Sequence, residues 1–157
     1  DLAKKYTDKP VYVLGTATGI DCKDMWDKDN FVEMPATIYA ARDAMAMAGI
    51  KPADIDFAEV HDCFTNTELL NIEDIGFCKK GEGGPFAASG ATGLKGKIPV
   101  NTNGGMLSEA YIHGVNTVAE AVMQLRGECG KRQVPNAEVC FVTSGATTIG
   151  SACILTV

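Results

Sequence analysis

Phe57-Ala-Glu-Val-His-Asp-Cys-Phe-Thr-Asn-Thr-Glu68 is the stretch that decides the fold. Phe57-Ala-Glu-Val60 reads as a short strand, and Thr65-Asn-Thr-Glu68 as a capping box that starts a helix directly after Phe64. That helix is predicted to run to about Ile75, with Gly76 as its stop. His61 to Phe64 therefore fall in a strand-to-helix turn, beside free helix N–H groups that favour developing negative charge. In alternating α/β sheets such turns are where ligands bind.

The same alternation extends in both directions. Upstream, Val11-Tyr-Val-Leu-Gly15 reads as a buried strand. Pro35 opens a helix whose Ile38, Ala41, Met45 and Ala48 recur at helical spacing until Gly49 and Pro52 stop it. The polar segment 21–30, which holds the single tryptophan Trp26, reads as a surface loop. Downstream, residues 79–97 carry six of the 17 glycines without periodicity and read as a long flexible surface loop. Its Gly81-Glu-Gly-Gly84 and Ser89-Gly-Ala-Thr-Gly93 lack the Lys-Ser/Thr of a phosphate loop. Ile98-Pro-Val-Asn101 re-enters the sheet, and Gly104-Gly105 makes a tight turn. A helix is expected from about residue 108 to 126, with Ile112, Val115, Ala119, Val122 and Leu125 on one face and Tyr111 and His113 in its first turns. Val139-Cys-Phe-Val-Thr143 and Ala152-Cys-Ile-Leu-Thr-Val157 close the chain as a hairpin. The fold class is α/β: a mixed sheet of about five strands covered by helices.

Composition narrows the function. A chain of 157 residues suits one domain with a real core. The net charge of −6 comes with no lysine or arginine cluster beyond pairs such as Lys79-Lys80, which argues against a nucleic-acid footprint. Six scattered cysteines, none in Cys-x-x-Cys, point to a reducing cytosol and give no reason to expect a metal site. No apolar run approaches the roughly 18 residues of a membrane-spanning helix.

Glu59-Val-His-Asp-Cys-Phe-Thr65, then Gly81-Glu-Gly-Gly84, Ile98-Pro-Val-Asn101 and Gly104-Gly105, resembles the C-terminal half of the thiolases, specifically the sterol-carrier-protein type often labelled nonspecific lipid-transfer protein. The resemblance covers nearly the whole chain and implies that residues 1–157 form one thiolase C-terminal-like domain of βαβαβαββ order. It implies acyl-CoA substrates, coenzyme A as a substrate or co-substrate, and no permanently bound cofactor or metal. The acyl-accepting cysteine of that family belongs to the first half of the subunit, so no cysteine here corresponds to it.

The resemblance also assigns roles. His61 matches a histidine that helps bind the thioester oxygen, and Cys63 a cysteine proposed as the acid/base of the carbon–carbon bond step. The residue types suit this: an imidazole N–H donates to a developing oxyanion, and a thiol is tuned by a helix N-terminus. Thiolases of this type continue the Gly-Gly turn with Gly-His-Pro-x-Gly, whose histidine activates the nucleophile. Here Tyr111 stands at that histidine's place, Gly114 on the last glycine, and His113 two residues late. Ser144 stands where other thiolases carry the cysteine of a Cys-x-Gly loop. Asn101, Gly104, Gly105, His113, Gly114 and Ser144 are thereby expected to line the substrate site, with His61, Cys63 and Tyr111 converging on one acyl-CoA pocket.

The expected function is that of a thiolase-like acyltransferase, this chain supplying the C-terminal half of a cytoplasmic active site. Tyrosine at position 111 is similar to the thiolase-like aldolases of steroid side-chain degradation, which cleave a β-hydroxyacyl-CoA with a zinc-ribbon/OB-fold partner protein. Retro-aldol cleavage is accordingly the alternative, with a non-catalytic lipid- or acyl-CoA-binding module as a third reading. Helices rich in Ala, Met and Ile leave apolar surface to cover. A homo-oligomer, or a complex with an N-terminal thiolase half or partner subunit, is therefore expected.

Overall fold

The computed structural model describes residues 2–21, 30–145 and 148–157; the expected loop around Trp26 lies outside the described residues at positions 22–29. Strand β1 is Tyr12–Ile20, followed by helix α1, Pro35–Ala48. Strand β2, Phe57–Glu59, leads into α2, Thr65–Ile75. Helices α3, Gly83–Ala88, α4, Gly105–Ser108, and α5, Val115–Arg126, precede the hairpin of β3, Val139–Ser144, and β4, Ile149–Thr156. The sheet order is β1-β4-β3-β2, with β2 parallel to β3 and the other pairs antiparallel.

Among the described residues four strands form the sheet, where about five are expected. Ile98-Pro-Val-Asn101 contributes one parallel bridge, Val100 to Ala58, because Pro99 has no N–H to donate and Asn101 turns the chain at φ +50. That bridge still brings the 101–105 turn beside the end of β2, through Ala58 N donating to Pro99 O and Asn101 N to Ala58 O.

Side-chain alternation along the strands divides the core in two. Ala58, Val60, Phe141 and Ile154 face α1 and α2, against Ala40, Ala44, Ile72 and Ile75. Phe57, Cys140, Val142 and Leu155 face α5, against Ala121 and Leu125. On the first face, Gly15 and Gly19 of β1 let α1 lie close to the sheet: a Cβ on them would sit 2.3 Å from Ala44 O and 2.0 Å from Ala36 O. Strand β1 continues past Gly15, through a bulge between Val13 and Gly15, instead of ending there, and as the edge strand it leaves Tyr12, Val13 and Leu14 exposed where a buried strand is expected.

Three helix expectations need correction. The expected loop at residues 79–97 contains α3, anchored where Glu73 Oε1 accepts the Gly83 N–H at 2.7 Å. The helix expected from residue 108 starts only at Val115, because His113 at φ +42 and Gly114 at φ +93 are left-handed and a right-handed helix cannot run through them. Tyr111 and His113 thus lie in the irregular link between α4 and α5. Finally, α5 turns its polar side inward: Asn116, Thr117, Glu120 and Gln124 are buried with Ala121 and Leu125, while Val115 is 65% and Val118 42% exposed.

Candidate active site

The turn after β2 is clamped from two sides. The His61 N–H donates to Thr143 Oγ1 on β3 at 2.9 Å, and the His61 carbonyl accepts from Asn71 Nδ2 on α2 at 2.8 Å. The imidazole is 5% exposed and its Nδ1 has no hydrogen-bond partner in the protein. Burial holds its pKa below the ordinary imidazole value, against the pull of Asp62 and together with repulsion from His113. His61 is therefore neutral at pH 7, carrying one N–H donor and one acceptor nitrogen.

Asp62 organises the neighbouring segment. Its carboxylate accepts the Met106 N–H at 2.9 Å and reaches the Leu107 N–H at 3.4 Å, tying the start of α4 to the β2 turn. Gly105, at φ +66, is required for this approach, since a Cβ there would lie 2.0 Å from Asp62 Oδ2. Asn101 is held by the Val60 N–H, which donates to its Oδ1 at 2.8 Å, while its buried Nδ2 is left without a protein partner. Gly104, also left-handed, closes the turn by donating its N–H to Asn101 O at 2.8 Å.

Cys63 is half-buried, its Sγ donating to Thr67 Oγ1 at 3.6 Å in the first turn of α2. The expected capping box does not form: Phe64 is the N-cap and no side chain accepts from the first N–H groups, because Thr65 is already helical. The N-terminus of α2 next to Cys63 is consequently open.

Tyr111 comes to this turn from the α4–α5 link. Its ring meets His61 edge-on at 6.3 Å between centroids, and meets His113 edge-on at 4.8 Å. It is 47% exposed, so one side of the ring is open. Burial, then the charges of Cys63 and Asp62, raise its pKa, which keeps the phenol protonated at neutral pH. Ser144, at the end of β3, meets Gly114: a Cβ on Gly114 would be 2.8 Å from Ser144 Oγ. The structure thus gathers His61 with Tyr111 and His113, Asn101 with Gly105 and Asp62, and Gly114 with Ser144. Ala146, beyond Ser144, lies outside the described residues.

Sequence reasoning gave no part to Asp62, Asn71 or Thr143, which hold the turn, nor to Glu59 and Thr102 beneath it. The available signal was polarity in the wrong place: Glu59 stands between Ala58 and Val60, and Thr143 ends an apolar strand. Among the described residues no group of three or more His, Cys, Asp and Glu is arranged to hold a metal ion, and no helix is long and apolar enough to cross a membrane.

Residues 17–157 match the family described as thiolase C-terminal domain-like. The chain belongs to this family. Acetyl-CoA acetyltransferase of Methanothermobacter thermautotrophicus is 43% identical over 157 residues, covering 98% of this chain and 41% of its own length. The 17-hydroxy-3-oxo-4-pregnene-20-carboxyl-CoA lyase of Mycobacterium tuberculosis is 43% identical over 122 residues, covering 78% of this chain and 31% of its own. A solved Ltp2-ChsH2(DUF35) aldolase superposes with a TM-score of 0.89 at 34% identity, over 94% of this chain and 40% of that one. The thiolase-like domain therefore spans less than half the length of these relatives.

Proposed function

We propose that this chain supplies one half of an active site that works on the carbon–carbon bond next to an acyl-CoA thioester, by retro-aldol cleavage of a β-hydroxyacyl-CoA. The observation that carries the reading is the Tyr111 ring set against His61, at the position where related thiolases place a histidine. Cleavage leaves the bonding electron pair on the α-carbon as a thioester enolate, and the β-carbon becomes a ketone or aldehyde. The neutral His61 donates its N–H to the enolate oxygen, as an oxyanion-hole donor. Tyr111, protonated at neutral pH, receives the β-hydroxyl proton while releasing its own. Cys63, within electrostatic reach of Tyr111, delivers a proton to the α-carbon and is recharged by the one Tyr111 gives up. No thiolate nucleophile is consumed, so free coenzyme A is not a co-substrate in this chemistry.

The length these relatives have beyond this domain, and the likeness to an aldolase solved as an Ltp2-ChsH2(DUF35) pair, support a site completed by an N-terminal thiolase half or partner subunit. A homo-oligomer, or a zinc-ribbon/OB-fold partner, fits the same picture. A second reading, the acyltransferase, is favoured by Cys63 at the open N-terminus of α2 and by the 43% identity to an acetyl-CoA acetyltransferase. Incubating the intact protein with a β-hydroxyacyl-CoA and with a β-ketoacyl-CoA separates the two. Ketone or aldehyde release without free coenzyme A supports the aldolase, whereas thioester turnover that requires free coenzyme A replaces it with the acyltransferase.

A further inference from the structure

Directly beneath the site, on the face of the sheet covered by α5, lie two fully buried glutamates that the reaction above does not use. Glu59, at the end of β2, and Glu120, in α5, both reach the hydroxyl of Thr102. Thr102 Oγ1 lies 2.8 Å from Glu59 Oε1 and 2.7 Å from Glu120 Oε1, and Gln124 Nε2 donates to it at 3.0 Å. A hydroxyl has one proton to donate, so it satisfies one carboxylate oxygen and not two. The second close O···O contact needs a proton on a carboxyl group. Glu120 is the ionised partner, because Arg132 binds it through two N–H groups, Nε to Oε1 and Nη2 to Oε2, each at 3.0 Å. Glu59 has no such cation: among the described residues it forms no ion pair, and its Oε2 has no partner at all.

We infer that Glu59 is a positioning residue that carries its proton at neutral pH and donates it to Thr102, thereby fixing the 101–105 turn against the end of β2 and holding Asn101 and His61 in place. What those two residues do rests on the reading of the preceding subsection; the protonation and the positioning do not. The link is short in both directions. Thr102 follows Asn101, whose amide side chain is aimed by the Val60 N–H, and Glu59 precedes His61 by two residues. The Thr102 N–H also reaches Glu59 Oε1 at 3.2 Å, so backbone and side chain of the turn grip the same carboxyl.

The two carboxylates that act on Glu59 favour its neutral form. Burial raises the Glu59 pKa most, the side-chain and backbone hydrogen bonds of Thr102 lower it, and Glu120 facing it from α5 and Asp62 from its own segment raise it again, so that it stands at about 8. Cys140 on β3 and Cys129 beyond α5 are thiols whose own pKa values burial raises, that of Cys129 to about 11. Arg132 is engaged by Glu120, whose burial is outweighed by the Arg132, Thr102 and Gln124 hydrogen bonds and whose pKa stays low.

Three preparations of the intact protein test this: wild type, Glu59→Gln, which mimics the protonated acid, and Glu59→Ala. Infrared difference spectra between pH 6 and pH 9 should show a carboxylic-acid carbonyl band in wild type that is lost on alkalinisation and absent from Glu59→Gln. Its absence at pH 6 overturns the protonation. NMR of the Asn101 side-chain amide and the His61 imidazole should show both unmoved in Glu59→Gln at pH 7 and displaced in Glu59→Ala and Thr102→Val. Unmoved signals in the last two overturn the positioning. Neither readout needs turnover, so their failure is distinct from failure of the aldolase reading. Where turnover is detected, Glu59→Gln should stay within about twofold of wild type at pH 7 and lose any fall in rate centred near pH 8, while Glu59→Ala should fall at least tenfold. Equal loss in both variants would mean that the ionised carboxylate is the working form.

Discussion

Replacing Glu59 by Gln should make the protein more stable, and more so as the pH rises. Glu59 is fully buried and its pKa stands at about 8, against 4.5 for an ordinary glutamate. Between those values the folded protein keeps a proton that the unfolded chain has released. Stability therefore falls as pH rises through this window, by about 1.4 kcal/mol per pH unit, and levels off above the folded value. Across the roughly 3.5 pH units this amounts to a loss on the order of 5 kcal/mol. Glutamine places an uncharged donor in the same space and carries none of this dependence. Glu120 and His61 also titrate differently on folding, but they are common to both proteins and drop out of the difference. The assay is urea unfolding of wild type and Glu59→Gln at half-unit steps from pH 5 to pH 9. The variant's advantage should be small at pH 5, grow steadily to about pH 8 and then stay constant. A difference that is flat with pH, or that favours wild type more at high pH, would refute the assignment of the proton to Glu59.

Tyr111→Phe removes only a hydroxyl from a half-exposed ring, so turnover of a β-hydroxyacyl-CoA should fall by about 10²–10⁴-fold with the thermal midpoint unchanged; full activity would return Tyr111 to packing. Asp62→Ala leaves the Met106 N–H without its acceptor, which should cost about 1–3 kcal/mol in urea unfolding, and an unchanged midpoint would show that α4 is held by other contacts. Phe141→Ala, at the centre of the α1/α2 face of the sheet, should cost about 3–5 kcal/mol; a loss below about 1 kcal/mol would show that this core collapses around the gap.

The strand–turn–helix of residues 57–75 was legible because its signals are local: a β-rich run, a helix start and a stopping glycine within 20 residues. The meeting of Tyr111 with His61 was legible for a topological reason, since parallel neighbours bring their C-terminal ends together, and the single Ala58–Val100 bridge suffices for it. The link at 109–114 was not legible, because apolar spacing continues through Ile112 and Val115 while the left-handed φ of His113 and Gly114, which breaks the helix, leaves no mark in that spacing. The helix starts on Thr65 and stops at Gly76 as expected, but the capping box itself does not form, because Thr65 is already helical and Phe64 is the N-cap. Glu59 could be recognised as out of place in an apolar strand, yet its partners lie far along the chain, Thr102 43 residues away and Arg132 a further turn beyond α5.

The inverted setting of α5 follows from the same buried glutamate. Rotating the helix to bury Val115 and Val118 would gain about 1.5–3 kcal/mol for each side chain fully removed from water. It would withdraw Glu120 and Gln124 from the sheet. The two Nε2 hydrogens of Gln124 are shared among Thr102, Glu120 and the Arg132 carbonyl, all within 3.0 Å, and its Oε1 accepts the Val134 N–H. Each buried group left without a partner costs about 1–3 kcal/mol. Thr102 and Glu59 would be stranded with it. At least four such groups stand against two valines, so the hydrogen bonds decide the orientation: Val115 and Ala119 face outward, while Val122 and Leu125 of the same stripe stay against the sheet. A hydrophobic pattern taken alone therefore misplaces the N-terminal half of this helix, and the residue responsible is on a strand more than 50 residues earlier.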